Sequence, residues 1–145
     1  FRWVQAQLRD PKGLPISVRL LCEAHRLLLD GARGAGKQPG ELRRSQNWIG
    51  GTRPGNAAFV PPPPEHVPGL LADMERFIHA TSTDLAPMIK VAIIHAQFET
   101  IHPFLDGNGR IGRLLIAALF EHWGLLSEPL MYLSGYLKQH QSEYY

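Results

Sequence analysis

The chain has 145 residues, a formal net charge of +2 with its histidines neutral, and a single cysteine. That length suits one domain with a core of its own, and 44% apolar against 19% charged residues excludes a disordered chain. Cys22 alone excludes a disulfide framework or a paired-cysteine metal site, no apolar run approaches the ~20 residues of a membrane span, and so small a charge makes no case for nucleic acid.

A single thiol fits a reducing compartment, so a cytoplasmic setting is expected. Phe1 at one end and Tyr144–Tyr145 at the other suggest a piece of a longer protein, with residues 1–145 forming one domain. Residues 1–30 read helical. Ser17 is placed to cap a run bearing Val18, Leu21, Cys22, His25 and Leu28 at helical spacing, and Gly31 sits where a helix-ending glycine belongs. Residues 31–68 carry loop chemistry, with seven glycines from Gly31 to Gly55 and then Pro61 to Pro64. Within them, Gln46–Ile49 and Ala57–Val60 are short apolar-tending runs on either side of Gly50–Asn56, and a small irregular β-hairpin is expected. The prolines should form an extended connector.

Helix returns after Glu65. Leu70, Leu71, Met74, Phe77 and Ile78 mark one apolar stripe. Asp84 is expected to cap the next helix, with Pro87 in its first turn; that helix carries Ile89, Ile93, Ala96, Phe98 and Ile101, is apolar nearly all round and should be central. Leu114, Leu115, Ala118 and Leu119 mark another, closing at Gly124, and Ser127 and Ser134 are expected to cap a last segment. The fold class is all-α with one small β insertion.

Three motifs nearly match known sites. Gly31-Ala-Arg-Gly-Ala-Gly36-Lys37-Gln38 resembles a phosphate-binding loop but lacks the final hydroxyl residue and the preceding strand. Gly107-Asn-Gly109-Arg-Ile-Gly112 fits a dinucleotide fingerprint, yet a helix precedes it where a strand is needed. Glu99-x-x-His102 is half of a di-iron helix motif without its second copy. Pro103 should also push His102 out of helical geometry, so the two side chains need not share a face. His25, His79 and His95 read as packing or solvent-facing residues.

Chemistry gathers in residues 102–113, His-Pro-Phe-Leu-Asp-Gly-Asn-Gly-Arg-Ile-Gly-Arg. His102, expected in extended geometry past a helix end, is a plausible base. Phe104 should anchor the loop in the core. Asp106 offers a hard oxygen of the kind that holds magnesium together with substrate phosphates. Gly107-Asn108-Gly109 opens a helix whose free N–H groups suit an anion, and Arg110 and Arg113, three apart, can face it. These parts serve phosphoryl and nucleotidyl transfer alike.

The segment resembles the signature of the Fic (filamentation induced by cAMP) family, His-x-Phe-x-[Asp/Glu]-Gly-Asn-Gly-Arg-x-x-Arg, matching at His102, Phe104, Asp106, Gly107, Asn108, Gly109, Arg110 and Arg113. Gly40-Glu-Leu-Arg43 through Trp48-Ile49-Gly50-Gly51 and the prolines after them resemble that family's flap region. The resemblance implies a Fic-type helical bundle with a hairpin flap at about 40–60. It implies AMPylation, the transfer of AMP from ATP to a Ser, Thr or Tyr hydroxyl of a protein with release of pyrophosphate. On that carry-over His102 is the base and Asp106 holds Mg²⁺ or Mn²⁺. Gly107, Asn108, Gly109, Arg110 and Arg113 bind the nucleotide, with Tyr144 and Tyr145 near it, while Ile49 and Gly50 lie on the flap that docks the target chain. Auto-AMPylation is a further expectation. Gly109, where the related phosphorylating Doc toxins typically carry Lys, favours AMP transfer. The alternatives on the same fold are phosphorylation, phosphocholination or AMP removal, and outside catalysis an interaction module. No Glu has Ser or Thr four residues before it, the spacing of the family's inhibitory helix, so such an inhibitor is expected upstream of Phe1 or in another chain.

Overall fold

The computed structural model describes residues 1–30, 36–81, 84–126, 135, 136, 139 and 140. Its helices are α1 (Arg2–Arg9), α2 (Val18–Leu29), α3 (Val67–His79), α4 (Pro87–Ile101) and α5 (Asn108–His122), with short 3₁₀ turns at Pro54–Asn56 and Pro64–His66. The all-α expectation holds.

Each helix end shows why the chain turns where it does. The Ser17 hydroxyl accepts the Leu20 N–H at 3.2 Å, and Glu75 of α3 accepts the neighbouring Val18 N–H at 2.7 Å, so two of the first four donors of α2 are satisfied. Helix α4 begins differently from the expectation. Its N-cap is Ala86, without a side-chain bond, and Asp84 lies before it; Pro87 at the first position starts the helix without needing a donor. Helix α3 closes on Lys90, whose buried ammonium donates to the Ile78 and Ala80 carbonyls at 3.0 and 2.9 Å and lies over the Phe77 and Trp123 rings. Helix α5 ends as predicted at Gly124, which takes φ +65° while the Leu125 N–H returns to the Phe120 carbonyl.

Helix α4 packs most extensively on α5 and next on α3, and α5 also meets α1 and α2. Leu20, Leu71, Ile94, Phe98, Ile101, Ile111, Leu115 and Leu119 fill the core between them. Helix α4 is central, as expected, but its apolar surface is not all enclosed. Val91, Ile94, Phe98 and Ile101 are buried, but Met88, Ile89 and Ile93 on its other side are exposed.

The hairpin is reduced to a single antiparallel bridge, Ile49 to Phe59, in which the Ile49 N–H donates to Phe59 at 2.9 Å and its carbonyl accepts from Ala58 and Phe59. The ladder stops on one side where Pro61–Pro64, which have no N–H to donate, follow Val60. Gln46 bonds the Pro61 carbonyl, and Asn47 reaches the carbonyls of His102 and Phe104. On the other side Gly50 and Gly51 take left-handed φ of +69° and +67°, and Asn56 gathers the tip by accepting the Thr52 and Arg53 N–H groups.

Candidate active site

Helix α4 stops at Ile101, and His102 follows in the left-handed region, φ +49° and ψ +61°, rather than extended. The His102 N–H still completes the helix by donating to Phe98 at 3.0 Å. The imidazole is partly buried, and Nδ1 lies 3.3 Å from the Glu99 carbonyl oxygen. A carbonyl can only accept, so that bond requires the proton on Nδ1 and leaves the lone pair on Nε2. Burial lowers the His102 pKa; the bond to the Glu99 carbonyl works against this, and the Arg43 charge adds to it. The ring therefore favours its neutral, basic form near pH 7.

The loop is then folded by its own residues. Phe104 is buried, as expected of an anchor, and stacks on His25 with ring centroids 3.9 Å apart and nearly parallel planes. Asn108, also buried, closes the loop on both sides: its Oδ1 accepts the Phe104 N–H at 2.9 Å, and its Nδ2 donates to the Phe104 carbonyl at 2.7 Å. The side chain is thus engaged with Phe104, and what Asn108 offers an anion is its backbone N–H at the first turn of α5.

Gly107 caps that helix at φ +81°, and its N–H donates to Asp106 Oδ1 at 2.6 Å. Asp106 is about half exposed, with Arg110 Nη2 3.8 Å from the same oxygen. The two guanidinium groups lie over the glycines. A Cβ on Gly107 would stand 3.4 Å from Arg110 Nη2, and one on Gly109 would stand 3.2 Å from Arg113 Nη1. Two cations, the helix dipole and unshielded backbone thus converge on one turn, an arrangement whose chemistry suits a polyanion. Among the described residues no group of three or more His, Cys, Asp or Glu side chains could cage a metal. A lone, half-exposed carboxylate beside an anion site fits instead a magnesium ion that arrives with phosphates as its other ligands.

Two residues that sequence reading set aside belong to this site. His25 is buried; its Nδ1 accepts the Gly40 N–H at 2.9 Å, so Nε2 carries the proton that bonds the Asp106 carbonyl at 3.0 Å. It ties α2 to both the flap approach and the loop. Glu99 lies beside His102 after all, with Oε2 3.9 Å from Nδ1. Burial raises the Glu99 pKa, while the Arg113 charge works the other way. A Cβ on Gly112 would meet the end of the Glu99 side chain and stand 3.1 Å from the His95 ring. The only sequence signal for either role was position, on an apolar helix face for His25 and one turn before the loop for Glu99.

Ile49 and Gly50 sit at the single bridge, with Trp48, Phe59 and Val60 exposed around them. Tyr144 and Tyr145, the Gly31 helix end, the Ser127 and Ser134 caps, and residues 31–35 of the phosphate-loop-like segment lie outside the described residues.

Comparison with known proteins agrees with this geometry. The family model described as Fic/DOC matches residues 15–120. The chain is 44% identical over 71 residues to a probable protein adenylyltransferase of Aquifex aeolicus, covering 49% of this chain and 22% of that protein. It is 33% identical over 136 residues to the protein adenylyltransferase Fic of Drosophila melanogaster, covering 91% and 24%. The chain therefore spans under a quarter of the length of these relatives. Among solved structures, a Fic domain-containing signalling protein of Bacteroides thetaiotaomicron superposes with TM-score 0.69 at 25% identity, over 85% of this chain and 45% of that one. A Fic family protein of Desulfovibrio desulfuricans gives 0.59 at 35% identity, over 73% and 30%. With its loop, its bundle and most of its length matched in this way, the chain belongs to the Fic/DOC family.

Proposed function

We propose that this domain is a protein adenylyltransferase, moving AMP from ATP to a hydroxyl side chain of a target protein. The observation that carries the reading is the His102 bond to the Glu99 carbonyl, which supports a basic Nε2 a few residues from a polyanion site. The printed names of the relatives support the same activity.

In this mechanism His102 Nε2 takes the proton of the target hydroxyl as its oxygen attacks the α-phosphorus. A new oxygen–phosphorus bond forms, and the bond from the α-phosphorus to the bridging oxygen breaks. Pyrophosphate leaves with that electron pair. The N–H groups of Asn108 and Gly109 stand where phosphate charge builds, and Arg110 and Arg113 hold the departing phosphates. Asp106 would hold the Mg²⁺ that accompanies ATP, and such an ion neutralises phosphate charge when bound. The hydroxyl-bearing chain would dock along the flap. Ile49 turns both backbone groups to Phe59, so an added strand would pair with the flanking Trp48 and Gly50.

Mass spectrometry of a lysate treated with ATP, Mg²⁺ and the domain tests this. Adenylyl adducts on proteins, absent with His102→Ala, are expected. Adducts formed equally by His102→Ala would contradict the role given to the base. Arg113→Ala should weaken binding of a non-hydrolysable triphosphate more than binding of AMP, and equal losses would remove Arg113 from the outer phosphates.

A further inference from the structure

His102 occupies a conformation that its residue type and its neighbour both disfavour. Left-handed φ is uncommon for a residue with a Cβ, and a following proline restricts it further towards extended geometry. Such a conformation persists only where the surroundings over-determine it. Beyond the bonds within α4 and the loop itself, the surroundings that hold it come from one short stretch, residues 43–47.

Four consecutive carbonyls, Ile101 to Phe104, are each bonded from that stretch. Arg43 Nε donates to His102 at 2.9 Å and Nη2 donates to Ile101 at 3.2 Å. The Arg43 backbone N–H donates to Pro103 at 2.9 Å. Asn47 Nδ2 reaches His102 at 3.3 Å and Phe104 at 3.1 Å. The same guanidinium also grips both roots of the flap, Pro62 at 2.5 Å through Nη2 and Ser45 at 3.3 Å through Nη1.

Arg43 is 2% exposed, and every one of these bonds runs to a backbone carbonyl. Burying a guanidinium is costly, and here two of its acceptors are the last carbonyls of α4, where the helix dipole is negative. A planar fork can serve four carbonyls in fixed directions; an ammonium cannot.

We infer that Arg43, assisted by Asn47, is a positioning residue that holds His102 in its left-handed geometry and joins the flap to the base in one bracket. Target docking on the flap and the aim of the base are then set by the same side chain. This rests on His102 acting as the base of AMP transfer.

The test compares wild type, Arg43→Lys, Arg43→Ala and Asn47→Ala, with Arg44→Ala as an exposed neighbouring control. Two readouts are taken: AMP transfer kinetics, and NMR titration of the His102 ring, assigned by its loss in His102→Ala. Arg43→Lys should keep KM for ATP and lower kcat by about ten- to a hundredfold, because the base is displaced and the phosphate site is not. Asn47→Ala, which removes one of two bonds to the His102 carbonyl, should lower kcat by about three- to tenfold and keep the fold. Both should move the His102 titration, and guanidinium ion added to Arg43→Ala should recover part of kcat. Wild-type kcat and an unmoved titration in folded Arg43→Lys and Asn47→Ala would overturn the inference. A wild type that transfers no AMP would overturn the reading beneath it, while the titration alone would still decide whether Arg43 sets the His102 ring.

Discussion

His102 can take a proton only while its ring is neutral, and burial biases it that way. The lowered pKa places the acid limb of kcat/KM below the ordinary histidine value of 6.5. Activity should fall as pH drops through that lowered value and should not depend on this group at higher pH. An acid limb above 6.5 in a pH–rate profile would contradict the assignment. His102→Ala should abolish transfer with little change in melting temperature, since its side chain makes one long bond and lies outside the helices. The loop residues were legible because their chemistry is contiguous from His102 to Arg113. His25 and Glu99 were not, because their roles depend on partners that only packing supplies. The left-handed turn at His102 was also hidden, since the rule for residues before proline predicts extended backbone and Arg43 overrides it.

Gly112 faces the Glu99 and His95 side chains where α5 meets α4. Gly112→Ala would drive a methyl into the buried Glu99 carboxyl and should destabilise the fold by about 1–3 kcal/mol in urea titration. A neutral or stabilising effect would mean that Glu99 moves away freely. At the end of α3, Lys90→Ala leaves the Ile78 and Ala80 carbonyls without their donor and should cost about 1.5–3 kcal/mol. Sequence periodicity captured these helices because core-facing residues recur at helical spacing, as with Leu71, Met74 and Ile78. It misjudged the hairpin for a definable reason. Gln46 and Asn47 look like strand residues locally, yet the chain opposite them turns to prolines without N–H groups, and their side-chain amides bond the Pro61 and Phe104 carbonyls. It misplaced the α4 cap because Asp84 is a better capping residue than Ala86, while Pro87 sets where the helix begins.

Taken together, the buried titratable groups give the fold a pH dependence. Burial lowers the pKa of His25, His95 and His102. Below the ordinary value of 6.5 the unfolded chain binds protons that the folded chain resists, so stability is fully present above that value and is lost as pH falls through the folded ones. Glu99 runs the other way, since burial raises its pKa and its ionised form costs stability at higher pH. With three such imidazoles against one carboxyl, the melting temperature should fall between about pH 7.5 and 5.5. A constant or rising value in calorimetry would contradict this. Supplying ATP labelled at either the α- or the γ-phosphorus, with Mg²⁺ and lysate, decides which phosphate is transferred. Label on protein from the α position alone is the predicted result, and label from the γ position would contradict it.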